Sequence, residues 1–265
     1  MKRHVVIQKY VGETPLMALL RWKQANPAYK DMLVSYAGRL DPMAEGKLLV
    51  LIGEECKRQK DYTNLDKEYE VEVLLDVGSD TGDALGLVEY ADKETKVESS
   101  ALDTILRAEI GAHMRAYPQF SSKTVNGKPL FLHALEGTIG DIDIPKHEER
   151  IYGIHVQKIS SISSDILATR VNEFLAKVPK SDEPSKMLGA DFRVDAVRAS
   201  WERLFAEAGQ RTFISLQLRV SCGPGTYMRS LAGRIGETFG TRGLALSINR
   251  TKIGKYWKGW WIRSF

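Results

Sequence analysis

The sequence predicts an α+β fold in which helices flank a mixed, largely antiparallel sheet. Strand patterns outnumber helix patterns and do not alternate regularly with them. Two runs show clean period-two alternation. In the first, Tyr69, Val71, Val73, Leu75 and Val77 share one face, with Glu70, Glu72 and Asp76 on the other. In the second, Ile214, Leu216, Leu218, Val220 and Cys222 alternate with Ser215, Gln217, Arg219 and Ser221. At 265 residues, 43% hydrophobic and 27% charged, the chain can bury a substantial core and does not have the composition of a disordered one.

The elements follow in order. His4–Lys9 reads as a short strand. Thr14-Pro15 opens a helix, Thr14 as N-cap and Pro15 at the first helical position, with Leu16, Leu19, Leu20 and Trp22 downstream and Asn26-Pro27 closing it. A strand follows over 48–52, a charged helix or turn over 54–62, and then the first alternating strand. Asp80-Thr81-Gly82-Asp83 is a turn before a short strand over 87–90. Ser99 or Ser100 caps a helix whose Leu102, Ile105, Leu106 and Ile110 form one stripe. Tyr117-Pro118 breaks it. Residues 117–137 have little core of their own: Asn126-Gly127 is a hairpin signal, and a short helix over 129–135 ends at Gly137. This section reads as a protruding arm. Strand character returns over 151–162.

The run Pro-Lys-Ser-Asp-Glu-Pro-Ser at 179–185 reads as a loop within an internal insertion at about 178–210. An amphipathic helix carrying Val194, Val197, Trp201, Leu204 and Phe205 follows it. After the second alternating strand, Gly223-Pro224-Gly225 turns into a helix over 226–239 stopped by Gly240. The chain finishes with the segment 244–252 and a basic, aromatic tail including Lys255, Trp257, Lys258, Trp260 and Trp261. Those tryptophans either complete the core, the expectation for at least half of them, or lie on RNA.

The net charge of +4 permits an anionic partner without requiring one. Cys56 and Cys222 match no paired metal-ligand spacing, which points to buried free thiols in a reducing compartment. No secretory signal and no bilayer-length apolar run is visible, so the expected location is cytoplasmic. No metal or organic cofactor is expected, because no ligand cluster is readable and His133 and His155 share no metal spacing.

Two stretches carry candidate chemistry. In Tyr36-Ala37-Gly38-Arg39-Leu40-Asp41-Pro42-Met43-Ala44-Glu45-Gly46, Pro42 pushes Asp41 away from helical geometry and the following apolar run anchors the loop. Such a loop can aim a carboxylate into a cleft; an ordinary turn has the same local pattern. At Cys222-Gly223-Pro224-Gly225-Thr226-Tyr227-Met228-Arg229 a glycine-rich turn opens a helix. An arginine in the first helical turn is disfavoured by the dipole, so Arg229 calls for an anionic partner or a surface ion pair.

Taken together these segments resemble the TruB family of pseudouridine synthases. Ile7-Gln8-Lys9 with Gly12 and Thr14 is similar to the family's I-D-K-P-P-G-x-T opening. The run from Ala37 through Asp41-Pro42 to Gly46, then Gly53-Glu54, is similar to T-G-T-L-D-P-x-A-x-G followed by G-E. Lys67-Glu68-Tyr69 matches K-x-Y, and the stretch from Cys222 to Arg229 matches C-x-x-G-T-Y-I-R. Tyr117-Pro118-Gln119-Phe120-Ser121 with Lys123, Gly127, Lys128 and Leu130 is similar to the family's arm. Two departures stand out: Ser35-Tyr36 replaces a usual Gly-His that helps seat the target nucleotide, and Tyr10-Val11 replaces a proline pair.

The resemblance implies a pseudouridine synthase-like fold in a single catalytic domain over 1–265, in a form without the C-terminal RNA-binding domain of many members. It implies isomerisation of a uridine in tRNA, uridine 55 of the T loop, with Asp41 as the catalytic carboxylate. Tyr69 is then the active-site tyrosine and Arg229 the partner of the acid, while Tyr36, Arg39, Ile248, Lys9 and Lys123 bind substrate. The expected partner is the tRNA T stem-loop, held in part by the arm, with no membrane and no obligate protein partner. The alternatives are a non-catalytic RNA-binding or tRNA-folding protein on the same scaffold, or the same chemistry on another RNA.

Overall fold

A computed structural model of the protein describes residues 3–178 and 192–265. Strand β1 (His4–Lys9) leads to helix α1 (Pro15–Ala25). Thr14 caps that helix as its sequence predicts, its Oγ1 accepting the Met17 N–H at 3.2 Å, with Pro15 at a position needing no donor. Then come β2 (Val34–Ala37), β3 (Glu45–Ile52), α2 (Gln59–Thr63) and β4 (Asp66–Leu75). A small ribbon, β5 (Val77–Ser79) with β6 (Val88–Tyr90), precedes α3 (Ser99–Glu109) and β7 (Gly111–Ala116). The arm carries a hairpin, β8 (Thr124–Val125) and β9 (Lys128–Pro129), and α4 (Leu130–Leu135). The remainder is β10 (Lys146–Ser163), α5 (Ser164–Leu175), α6 (Val194–Ala208), β11 (Thr212–Cys222), α7 (Met228–Thr238), β12 (Gly243–Trp257) and β13 (Trp260–Ser264).

The main sheet has the order β1-β3-β12-β4-β11-β10-β7, with β2 also on β3 and β13 on β12. Among these pairs only β3–β12 is parallel. This is the mixed, largely antiparallel sheet expected. Where the two parallel strands meet, Arg250 lies opposite Gly46. Gly46 has φ 109°, and a Cβ there would sit 2.4 Å from the Arg250 carbonyl oxygen, so the crossing admits only glycine. Register places Arg250 and Val220 on either side of Tyr69, and Ile248 beside Val71. Three strands therefore present one common face at this end of the sheet.

The main core joins the apolar rows of β4 and β11 to Leu167 and Val171 of α5, Trp201 of α6 and Leu231 and Ile235 of α7. A second cluster seats Ala18 and Leu19 of α1 on Ile7, Leu48 and Val50. Some elements differ from expectation. The first alternating strand breaks at Asp76, whose φ is 68°. That carboxylate is buried and receives bonds from Arg211 at 2.9 Å, Thr241 at 2.8 Å and the Thr95 hydroxyl and N–H. Helix α3 takes no side-chain cap from Ser99 or Ser100, since both already lie inside it after Glu98. It stops before Ile110, because Gly111 at φ 115° turns the chain into β7.

Helix α5 follows β10 with no breaker and buries Leu167, Val171 and Leu175, so the helical layer begins well before residue 178. The expected loop at 179–185 lies outside the described residues. The tail tryptophans do not complete the core. Trp257 and Trp260 are 61% and 78% exposed, because their hairpin, β12–β13, projects past the other strands. Cys222 is buried and Cys56 half-buried, and both are free thiols. Among the described residues no helix is long and apolar enough to cross a membrane.

Candidate active site

A cleft of about 1250 Å³ opens over the shared face of β4 and β12 and is bounded by the Asp41 loop, the arm and the start of α7. The loop spans 38–44 between β2 and β3. Two buried cations hold it from below. Arg250, 1% exposed, donates to the carbonyls of Gly38 at 3.0 Å, Arg39 at 3.2 Å and Lys47 at 2.8 Å. Lys9, with no exposed surface, donates to the carbonyls of Tyr10, Pro42 and Ala44 at 3.0, 3.2 and 2.5 Å. Burial lowers the Lys9 ammonium to a pKa of about 8, and nearby Asp41 only partly opposes this. Backbone atoms close the loop further: Gly12 N–H donates to the Pro42 carbonyl at 2.9 Å, and Ala44 N–H to that of Asp41 at 3.0 Å.

This scaffold presents Asp41 with its side chain 37% exposed toward the cleft. One oxygen, Oδ2, accepts from Arg229 Nε at 2.6 Å; Oδ1 has no hydrogen bond among the described residues. Arg229 is 3% exposed and uses every nitrogen of its fork. Its remaining amines donate to the carbonyls of Thr81 at 2.5 Å and Phe120 at 3.0 Å. Burial would lower its pKa, but Asp41 and Asp83 more than offset that, so the guanidinium stays charged. Of the two expectations for Arg229, a specific anionic partner or a surface ion pair, the structure shows the first: a carboxylate 188 residues away in the chain.

Asp83 completes a charged trio, its Oδ2 3.5 Å from Arg229 Nε. Its Oδ1 accepts from the Thr81 hydroxyl and the Leu85 N–H, each at 2.9 Å. Burial pushes this carboxyl up to about 6, against the pull of Arg229 and with a further push from Asp41. Tyr69 lies on the cleft floor, 8% exposed, beside the Arg250 guanidinium. Burial raises its phenol, with Arg250 pulling the other way, so it remains a neutral donor and stacking surface. Tyr227 at the head of α7 is pushed up to about 12, first by burial and then by Asp41.

A model of the family described as TruB family pseudouridylate synthase (N terminal domain) matches residues 28–173, more than half of the chain. This chain belongs to the TruB family. It is 28% identical over 250 residues to the tRNA pseudouridine synthase B of Ralstonia pickettii (strain 12J), covering 94% of this chain and 62% of that protein. It is 26% identical over 235 residues to the protein of the same name from Francisella tularensis subsp. tularensis (strain WY96-3418), covering 88% and 60%. The chain therefore spans about 60% of the length of these curated relatives. Its fold is similar to that in the crystal structure of a Cbf5-Nop10-Gar1 complex, with TM-score 0.56 and 14% identity over 95% of this chain and 48% of the other. The archaeal box H/ACA sRNP Nop10-Cbf5 complex is similar at TM-score 0.51 and 15% identity, covering 95% and 47%.

Of the residues expected to serve this TruB-family site, Asp41, Tyr69, Arg229, Tyr36, Arg39 and Ile248 all line the cleft. Arg39 is exposed at the mouth, and Ile248 is buried on the floor. Tyr36 packs against the cluster beneath α1, and its carbonyl accepts from Gln59 Nε2 at 2.7 Å. Lys9 is a correction. It does not face the cleft, because its ammonium is used up by three carbonyls under the Asp41 loop. Lys123 stands outside the cleft wall, exposed, with its ammonium 5.2 Å from the ring centre of Tyr117, a lining residue. Lys128 pairs with Glu136, which cancels its charge on the arm.

Sequence reasoning missed Asp83, Arg250 and the wall residues Phe192 and Arg193. Arg250 had a readable signal: it follows Leu244, Leu246 and Ile248 at two-residue spacing. Asp83 had none, since it looks like the neighbouring turn acids. Cys222 touches no part of this chemistry, as burial pushes its thiol up to about 12. Among the described residues no group of three or more metal-ligating side chains converges.

Proposed function

We propose that this cleft isomerises a uridine of tRNA to pseudouridine, with uridine 55 of the T loop as its target. The observation that carries the reading is the Asp41–Arg229 pair. It is a half-exposed carboxylate with one oxygen fixed by a buried guanidinium and the other without a hydrogen bond among the described residues.

The reaction breaks the bond from ribose C1′ to uracil N1, turns the base, and joins C1′ to C5, whose proton leaves. A glycosidic bond buried in a stem-loop is out of reach, so the nucleotide must be flipped into the cleft at a cost of about a few kcal/mol. Tyr69, which lines the cleft with Ile248 and is neutral, is the ring on which the extruded base stacks in this reading. The free Oδ1 of Asp41 then acts at the sugar. Either it adds to C1′ as uracil departs through N1 and is displaced as carboxylate when C5 bonds to C1′, or it takes a ribose proton that is later returned. Arg229 holds the carboxylate in one orientation throughout. The arm at 117–137 supports the opened loop, with Lys123 exposed for a phosphate contact and the domain acting as one catalytic unit.

The test is Asp41→Asn, assayed by tritium release from tRNA carrying 5-labelled uridine. Activity is expected to fall by at least about a thousandfold, the scale of a nucleophilic or acid–base carboxylate. Near-normal release sinks the assignment. A second reading, the same chemistry on another RNA, is favoured by one feature: Tyr36 packs against the α1 cluster where the family places histidine. Mapping pseudouridines across cellular RNA with and without the protein separates the two readings.

A further inference from the structure

Helix α6 begins with a strained step. Phe192 and Arg193 have φ values of 47° and 54°, in the left-handed region, and neither is glycine. Such residues persist only where their surroundings hold them, and here both line the cleft. The Arg193 carbonyl accepts the Val197 N–H at 2.9 Å, which ties the step to the helix. Its guanidinium lies over the Phe120 ring, 4.8 Å from the centroid, and donates to Asp80 Oδ2 at 2.7 Å. Asp80 in turn anchors its own turn, its Oδ1 accepting the Leu87 N–H at 2.8 Å.

Phe120 and the 80–81 turn are the two segments whose carbonyls receive Arg229. One side chain thus grips, through a ring and a carboxylate, both of the backbone segments that fix the guanidinium holding Asp41. We propose that Arg193 is a positioning residue for the Asp41–Arg229 pair, clamping the arm and the 80–81 turn at the spacing Arg229 requires. The helical layer containing α6 is then part of the catalytic apparatus, although it supplies no group to the reaction. This inference rests on the proposed isomerase activity for its kinetic readout.

The experiment compares wild type, Arg193→Ala and Arg193→Lys in the full chain. Arg193→Ala is expected to lower kcat about ten- to a hundredfold, as a small displacement at a reacting pair does, with KM within about twofold. Arg193→Lys keeps the Asp80 pair but loses the flat stack on Phe120, and is expected to fall between. The Arg229 Nε–H resonance, assigned by its loss in Arg229→Lys, is expected to be protected from exchange in wild type and unprotected in Arg193→Ala. A rise in KM with unchanged kcat and a shallower salt dependence makes Arg193 a phosphate contact and overturns the proposal. So does a lowered melting temperature with both kinetic parameters and the Arg229 resonance unchanged. If wild type releases no tritium from tRNA, the isomerase reading fails, while the resonance still reports whether the clamp exists.

Discussion

Arg229 and Arg250 are both buried arginines that end at the same loop, yet they meet it with opposite chemistry. Arg229 approaches from the head of α7 and faces two carboxylates. Arg250 rises from β12 and donates to backbone carbonyls, at 38, 39 and 47, with the neutral Tyr69 phenol beside it. The first sets the orientation and charge of the carboxylate proposed to react; the second sets the shape of the chain carrying it. A single residue type can therefore fix a side chain on one side of a loop and the backbone on the other, and its acceptors tell which.

Removing each in turn separates the roles. Arg229→Met is expected to reduce the kcat of the folded protein about a hundred- to a thousandfold, the scale for a preorganised donor at a reacting group, and also to lower the melting temperature, because two carbonyls and buried Asp83 lose their cation. The contrast lies in kcat, which Arg250→Met is expected to change far less. Arg250→Met is expected to destabilise the fold by about 3 kcal/mol, because three carbonyls lose charge-assisted donors in a buried site. Urea denaturation checks it. If the two variants show the same pattern, the contrast between them is wrong.

The smallest effect belongs to Asp83 and sharpens the Arg229 side. Its folded pKa, about 6, lies above the ordinary carboxyl value of 3.8. Between those values the folded state holds a proton that the unfolded state has released, so stability falls as pH rises from about 4 to 6 and then levels off. Asp83→Asn removes that limb. Its melting temperature is expected to exceed that of wild type at pH 7 by more than at pH 4. An identical pH slope in the two proteins breaks the assignment.

Legibility followed the range of the physics involved. The alternation of β4 and β11, the Thr14 cap and the Asn126-Gly127 hairpin are local signals. Each was readable because neighbours in sequence decide the outcome. Edge strand β7 was not readable: its sequence, GAHMRA, lacks an apolar row because only one side of it is paired. Helix α5 was hidden by starting on the residue after β10, without cap or breaker, although Leu167, Val171 and Leu175 have helical spacing. Asp41 was nominated by a loop pattern shared with ordinary turns. What singles it out is Arg229, and that contact depends on how β12 and α7 dock. The same holds for Asp83, which reaches Arg229 across the fold, and for Arg193, which reaches Asp80 and Phe120.

The sheet order has a consequence for how the protein is made. Strands β3 and β4 follow one another in sequence, yet β12 lies between them. Asp41 hangs from the front of β3, and Tyr69 stands on β4. Until β12, ending at Trp257, has left the ribosome, those strands lack their shared neighbour and the loop lacks its Arg250 clamp. The cleft therefore cannot assemble progressively during synthesis; it closes only once β12 has emerged. Long-range closure of this kind is slow, and it leaves the paired edges of β3 and β4 exposed in the nascent chain. A polypeptide halted before β12 is expected to aggregate, not to fold into a weaker enzyme.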